Sequence, residues 1–130
     1  MANAIYRGSY FHAEGTDARV SVVHAKDIAG AVAAIADGPE SRDTEIYNLT
    51  DGEAPLRSEL ADALAWRMGQ KRVLTMKAMI ARIYFGSHKL RQLATDRRID
   101  GGKFRRDYPD FRPDAVCEYL RTHVYDENSL

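Results

Sequence analysis

Apolar residues recur at helical spacing in four stretches of the chain, and each stretch predicts a helix. The first helix begins near Asp27, whose carboxylate either caps the helix or lies in its first turn. It ends at 37–39, where Gly38 offers a left-handed closing conformation and Pro39 cannot continue the helix. The last helix begins near Pro113, because proline suits a first helical turn. The apolar positions of the four helices are Ile28, Val32 and Ile35; Leu56, Leu60, Leu64 and Met68; Met79, Ile80, Ile83, Tyr84 and Leu90; and Val116, Tyr119, Leu120 and Val124.

Other segments alternate polar and apolar residues or are rich in β-branched residues, and they predict strands. These strands cover 9–12, 19–24, 44–50 and 72–77. Asp51-Gly52 supplies a turn after the third of them. Strands that alternate with helices along the chain indicate a mixed α/β fold.

Length and composition narrow the class of protein. The 130 residues suit one domain, 1–130, with a frayed tail at 126–130. The 19 basic and 19 acidic residues balance, so global charge favours neither nucleic acid nor an anionic membrane as a partner. A single cysteine, Cys117, excludes an internal disulfide, and no Cys/His group has zinc spacing. We find no signal peptide, and the longest apolar stretch, 28–36, is too short to span a membrane. We therefore expect a cytoplasmic protein without metal, membrane or nucleic-acid partners.

Three motifs, in chain order, resemble the second half of extended short-chain dehydrogenases, the NAD(P)-dependent epimerase/dehydratase family. The segment 22–29, V-V-H-A-K-D-I-A, resembles the family's strand-to-helix motif V-H-V-x-D-V-A. The segment 46–53, I-Y-N-L-T-D-G-E, resembles its Y-N-V-x-D-G-E motif. The segment 97–104, followed by 108–113, resembles the ending in which a short lysine-bearing helix precedes an aromatic residue and a proline.

The first half of that family has no counterpart in this chain. None of the nine glycines forms the glycine-rich turn that brings a dinucleotide onto a helix, and no tyrosine is followed four residues later by lysine. The resemblance therefore implies a substrate-binding subdomain that lacks the glycine-rich half of the Rossmann domain. It implies a chain that has no catalytic residues of its own, binds no dinucleotide alone and begins after the catalytic motif. The full-length parent would use NAD or NADP.

The resemblance also implies partners for the chain. They are a sugar-like or nucleotide-sugar substrate and the missing cofactor domain. Apolar surface left without that domain would be exposed, and a homo-oligomer would cover it. Two other functions stay open: a stand-alone, non-catalytic ligand-binding or assembly module, and nucleic-acid binding through the basic stretch 89–106.

Three arginines are the candidate substrate-binding residues. In nucleotide-sugar members of the family, an arginine just before the first motif binds the substrate's phosphates, which implies that role for Arg19. A planar guanidinium that is always charged suits the task. Arg97 and Arg98 join it because the family's substrate pocket lies near this region. The alternative is that they are ordinary surface arginines, with acidic partners at Asp96, Asp100 and Asp107.

Other noticeable residues are interpreted as structural. His24 and Asp27 form a potential acid/base pair, but capping alone explains an aspartate ahead of an apolar-periodic segment. Asn48 is expected to tether the turn at Asp51-Gly52. The stripe of Met76, Met79, Ile80, Ile83 and Tyr84 is expected to be core, with a membrane-surface or partner-binding stripe as alternatives.

Overall fold

A computed structural model describes residues 1–38, 44–70 and 73–123, so the predicted frayed tail, 126–130, lies outside the described residues. The described part contains six helices: α1 Ala2–Tyr6, α2 Ala25–Ala36, α3 Arg57–Arg67, α4 Ala78–Leu93, α5 Gly102–Asp107 and α6 Val116–Thr122. Two strands, β1 Phe11–Ala13 and β2 Leu74–Met76, pair in parallel. The predicted mixed helix-and-strand class is confirmed at this level.

The core lies on both sides of α3. On one side Ala61 and Ala65 pack against Ile5 of α1. On the other side Ala63 packs against Val116 and Leu120 of α6. Alanines let the neighbouring helices approach closely, so they are the most buried positions of α3. The larger residues of the predicted stripe are only partly buried and fill the margins of the two clusters: Leu60, Leu64 and Met68.

A separate aromatic cluster surrounds Phe104 of α5, one of the two largest fully buried side chains in the described residues. The rings of Tyr47 and Phe111 meet it edge-on, with centroids 5.5 and 5.4 Å away. Tyr108 stacks on it at 4.8 Å. Edge-to-face and offset-stacked rings are the favoured arrangements. This cluster fixes α5 against the segment that precedes Asp51.

The extended segments are less regular than predicted. In the segment 19–24 only Arg19 and Val20 form bridges, to Leu56 and Arg97 respectively. The predicted strand at 44–50 is wrong, because 45–50 contains no strand residue. Alternation creates two faces, but a strand also needs a neighbour that accepts its backbone hydrogen bonds.

Two helices begin at residues that cannot cap them, and carboxylates from the 14–17 region supply the caps. Asp17 accepts hydrogen bonds from the amide and the hydroxyl of Ser58 at 3.0 and 2.6 Å, at the start of α3. Glu14 accepts from the amide of Ala78 at 3.3 Å, at the start of α4. A carboxylate satisfies free amides there and interacts favourably with the helix dipole. The side chains of the N-terminal boundary residues of these helices, Leu56 and Lys77, accept no such hydrogen bond.

The last helix begins at Val116, three residues after the predicted start at Pro113. Its first amide, on Val116, donates to the buried carboxylate of Asp51 at 3.2 Å. The amide of Asp114 donates to the buried carboxylate of Asp27 at 3.2 Å. These two bonds hold the residues before Val116 in an extended path, so the helix starts later than proline alone suggests.

In α2 the ambiguity at Asp27 is resolved, because Asp27 lies in the first turn and His24 is the N-cap. The Nδ1 atom of His24 accepts from the amide of Lys26 at 3.2 Å. Gly38 does not adopt the predicted left-handed conformation, and Pro39 lies outside the described residues. The apolar stripe of α2 faces solvent at Ile28, Val32 and Ile35.

The prediction that the stripe of α4 belongs to the core is wrong. Ala81 is the buried residue of this helix, while the large apolar side chains point away from the protein: Met79, Ile80, Ile83 and Tyr84. The helix packs on β1. Gly86, with φ of 75°, interrupts the helical conformation in a region that favours glycine. In the residues that the structure describes, no helix has the length and apolar character needed to cross a bilayer.

Candidate functional site

The three candidate arginines lie in one neighbourhood. The amide of Arg97 donates to the carbonyl of Arg19 at 2.8 Å, and the amide of Ser21 donates to the carbonyl of Arg97 at 2.9 Å. These bonds join segments that are far apart in the sequence. We call Arg19, Arg97 and Arg98 the arginine cluster.

Asp96 connects the cluster through both of its carboxylate oxygens. Oδ1 accepts from the backbone amide of Arg19 at 2.8 Å. Oδ2 accepts from Nη2 of Arg98 at 3.1 Å. The alternative interpretation, in which Asp96 is a local partner of a basic surface, therefore holds for Arg98.

The guanidinium groups differ in their freedom. Arg19 is half-buried, and its Nη1 donates to the carbonyl of Ala54 at 3.2 Å. Arg97 and Arg98 are exposed. Each guanidinium group carries five N–H donors. The side-chain hydrogen bonds of Arg19 to Ala54 and of Arg98 to Asp96 therefore leave donors available to an anionic ligand. Free guanidinium donors are what an oxyanion such as phosphate requires.

We expect the pKa of the Asp96 carboxyl group to depend on its contacts with the arginine cluster. The amide of Arg19, first, and the guanidinium of Arg98 stabilise the charged form, so the pKa of Asp96 lies below its ordinary value. Its bonds therefore stabilise the fold at neutral pH, and that contribution is lost as the pH falls through the lowered pKa. Arg98→Ala should raise this pKa without restoring the ordinary value, because the Arg19 amide remains. An NMR titration of the Asp96 carboxyl carbon measures it. An unchanged pKa in Arg98→Ala would contradict the pairing, and Arg112→Ala is the control.

Asn48 lies beside the start of α5. Its Nδ2 donates to the carbonyl of Asp100 at 3.4 Å. The carboxylate of Asp100 accepts from the amide of Gly102 at 2.8 Å, and Lys103 pairs with Glu45. These contacts attach the segment before Asp51 to α5, so Asn48 has a structural partner here.

His24 and Asp27 also have structural partners. The ring of His24 lies 4.3 Å from that of Tyr119, measured between centroids, in a tilted arrangement. Tyr119 in turn stacks on His123 at 4.1 Å. Because the Nδ1 atom of His24 and the carboxylate of Asp27 accept backbone amides, we assign neither a catalytic role.

A groove of about 320 Å³ lies between the 51–55 loop and α6. One basic residue, Arg121, lines the groove. The other charged residues of its lining are acidic: Asp51, Glu53, Glu59 and Glu118. Cys117 also lines it, and burial raises the pKa of this thiol. Negative charge disfavours a phosphate there, and none of the three arginines lines the groove. The candidate surface is the cluster itself.

One polar group was missed by the sequence analysis. His12 Nε2 lies 4.0 Å from the Asp17 carboxylate that also accepts from Ser58. The residue types are those of a hydrolase triad, but the serine donates to the aspartate and not to the histidine, so no nucleophile–base pair exists. The capping role of Asp17 did have a sequence signal. Leucine is a poor N-cap, so a helix that begins after Leu56 needs a cap from another part of the chain.

Comparison with known proteins yields no relative. No protein-family model, curated protein or solved structure matches the chain. Among the residues with described positions, no group of three or more His, Cys, Asp or Glu side chains is arranged to hold a metal ion. The arginine cluster and the surfaces that the fold leaves exposed are therefore the features that bear on function.

Proposed function

We propose that the chain is the substrate-binding portion of an NAD(P)-dependent epimerase, dehydratase or reductase acting on a sugar or nucleotide sugar. The observation that carries the proposal is the meeting of Arg19, Arg97 and Arg98, the residues for which the resemblance implies substrate binding. Backbone bonds hold Arg19 beside Arg97, and Asp96 holds Arg98. Such positioning reduces the entropy lost when a ligand binds.

The nucleotide sugar's diphosphate is the part of the substrate that the cluster would bind. Guanidinium forks match phosphate oxygens in pairs, and the exposed forks of Arg97 and Arg98 are accessible to a ligand. Asp96 holds Arg98 in place and partly neutralises the cluster, which would moderate its affinity. The sugar would extend from there toward the cofactor, which supplies the hydride chemistry.

A separate cofactor-binding polypeptide would complete the enzyme. The apolar stripe of α2 and the side chain of Ile46 are exposed, and the segment 45–50 alternates like a strand without forming one. Exposed apolar side chains are features that a second domain covers. We expect NAD or NADP to bind that polypeptide, and the chain to be inactive without it.

Titration calorimetry of the purified chain tests the proposal, with UDP-glucose as the nucleotide sugar and NAD(H) and NADP(H) as comparison ligands. UDP-glucose should bind, and Arg97→Ala/Arg98→Ala should weaken it by about ten-fold or more, since charge-assisted bonds contribute about 1.5–3 kcal/mol each. The control Arg112→Ala removes an exposed arginine outside the cluster and should bind like the native chain. Saturable micromolar binding of either dinucleotide, or equal binding by both variants, would reject the proposal.

The second candidate is a non-catalytic assembly module, and the exposed stripe of α2 favours it. Within α2 the charged residues are Lys26 and Asp27, at the start of the helix. The rest of the helix is uncharged, and surfaces depleted of charge are typical of the centre of protein–protein interfaces. Co-purification with a dinucleotide-binding protein that remains inactive toward nucleotide sugars would favour this module over the enzyme.

A further inference from the structure

The zero net charge of the chain conceals a strongly basic region. From Ala63 to Thr95 there is no aspartate or glutamate, and the stretch contains seven cationic residues: Arg67, Lys71, Arg72, Lys77, Arg82, Lys89 and Arg91. Four of these cations lie on α4 or immediately before it, and the acidic residue beside them is Glu14, near Lys77: Lys77, Arg82, Lys89 and Arg91. Local charge, and not the sum over the chain, determines what a surface attracts at a distance comparable to the Debye length.

Helix α4 lies within this region and presents an apolar face to solvent. Ile83 is 82% exposed and Met79 is 76% exposed, with Ile80 and Tyr84 beside them on the same side. Ala81, which is fully buried, faces the protein. The Glu14 carboxylate fixes the start of the helix through the Ala78 amide, so the apolar face is held outward.

Cations flank this apolar face. At 100° per residue, Arg82 falls on one border of the face, and Lys77 lies immediately before the helix. Lys77 Nζ lies 3.9 Å from Glu14, and Arg82 Nε donates to Ser87 at 3.1 Å. Helices that lie in the surface of a bilayer combine an apolar face with lysine and arginine along its borders.

We infer that α4 binds the surface of an anionic lipid bilayer, with Met79, Ile80, Ile83 and Tyr84 inserted among the headgroups. The cations attract anionic headgroups, and the aromatic ring of Tyr84 suits the interface between water and lipid. Two copies of the chain would bring like charges together on this face, which disfavours self-association through it. Nucleic acid would satisfy the cations but would leave three aliphatic side chains in water. The inference is independent of the proposed enzyme function.

Vesicle co-sedimentation of the purified chain tests this, with phosphatidylcholine vesicles prepared with and without phosphatidylserine. We expect binding to the anionic vesicles, about ten-fold weaker binding to the neutral ones, and loss of binding at high salt. Met79→Ser/Ile83→Ser should reduce partitioning about ten-fold or more, because it removes apolar area that lipid would cover. Both side chains are exposed, so circular dichroism and the melting temperature should match the native chain.

The control Tyr6→Ser removes an exposed aromatic residue of α1, outside the basic region, and should bind vesicles like the native chain. Equal binding to both vesicle types would overturn the inference, as would no binding to either. It would also be overturned if the chain were retained on DNA but not on vesicles, or if it formed a dimer that Met79→Ser/Ile83→Ser abolishes while no vesicle binding is seen.

Discussion

Replacing Phe104 with alanine is expected to lower the free energy of unfolding by about 3–5 kcal/mol. Phe104 is 2% exposed, and its ring contacts the rings of Tyr47, Tyr108 and Phe111. The truncation removes buried apolar area and leaves a cavity that three large rings cannot fill without losing their own contacts. Chemical denaturation followed by circular dichroism measures the loss.

Two further variants make the Phe104 prediction decisive. Phe104→Leu keeps most of the volume and should remain folded, with a loss of about 1–2 kcal/mol. Tyr6→Ala removes an exposed ring and should change stability by no more than about 0.5 kcal/mol. If Phe104→Leu and Tyr6→Ala were equally stable, the aromatic cluster would not be a core.

Asp51→Ala is expected to cost about 2 kcal/mol. The buried carboxylate accepts from the amide of Val116 at 3.2 Å and from that of Glu53 at 3.1 Å. Without it, the first amide of α6 is buried without a partner, and the turn that follows Thr50 loses its closing bond. Thermal unfolding of the variant measures the effect.

A second variant tests whether the acceptor oxygens of Asp51 produce this effect. Asp51→Asn keeps one of the two acceptor oxygens, so it can accept from only one of the amides of Glu53 and Val116, and it should lose about half as much stability. Asp110→Ala changes an exposed aspartate and serves as the control. A loss in Asp51→Ala no larger than that in Asp110→Ala would show that the hydrogen bonds of Asp51 do not stabilise the fold.

The four helices with an apolar period, α2, α3, α4 and α6, were predictable because their signal is local, whereas α1 was not predicted. The stripe from Leu56 to Met68 locates α3 to within one residue at each end, and the stripe from Met79 to Leu90 locates α4 to within three. The direction of each face was harder to predict. An apolar stripe indicates a surface that another apolar surface contacts, but that contact need not come from the same chain. Helices α2 and α4 expose their apolar stripes to solvent.

Strands and the site depend on partners that are distant in sequence. Alternation at 44–50 predicts a strand, yet 45–50 contains no strand residue in the structure. The contact between Arg19 and Arg97 spans most of the chain, and nothing in the pattern around either residue specifies it. The resemblance named both residues, whereas Asp96, which joins the cluster, was recognised only as a local partner for basic residues. The role of Asp17 as a cap for α3 was missed for the same reason.

The caps supplied from the 14–17 region have a consequence for dissecting the protein. A synthetic peptide that covers only α3 or α4 would lack the carboxylate that satisfies its first amides, and would fray there. Trimming the chain up to residue 17 would remove Glu14 and Asp17, so two helices far along the sequence would lose their starts together. Fragments are therefore poor substitutes for the whole chain, whose helices acquire their boundaries only as it folds.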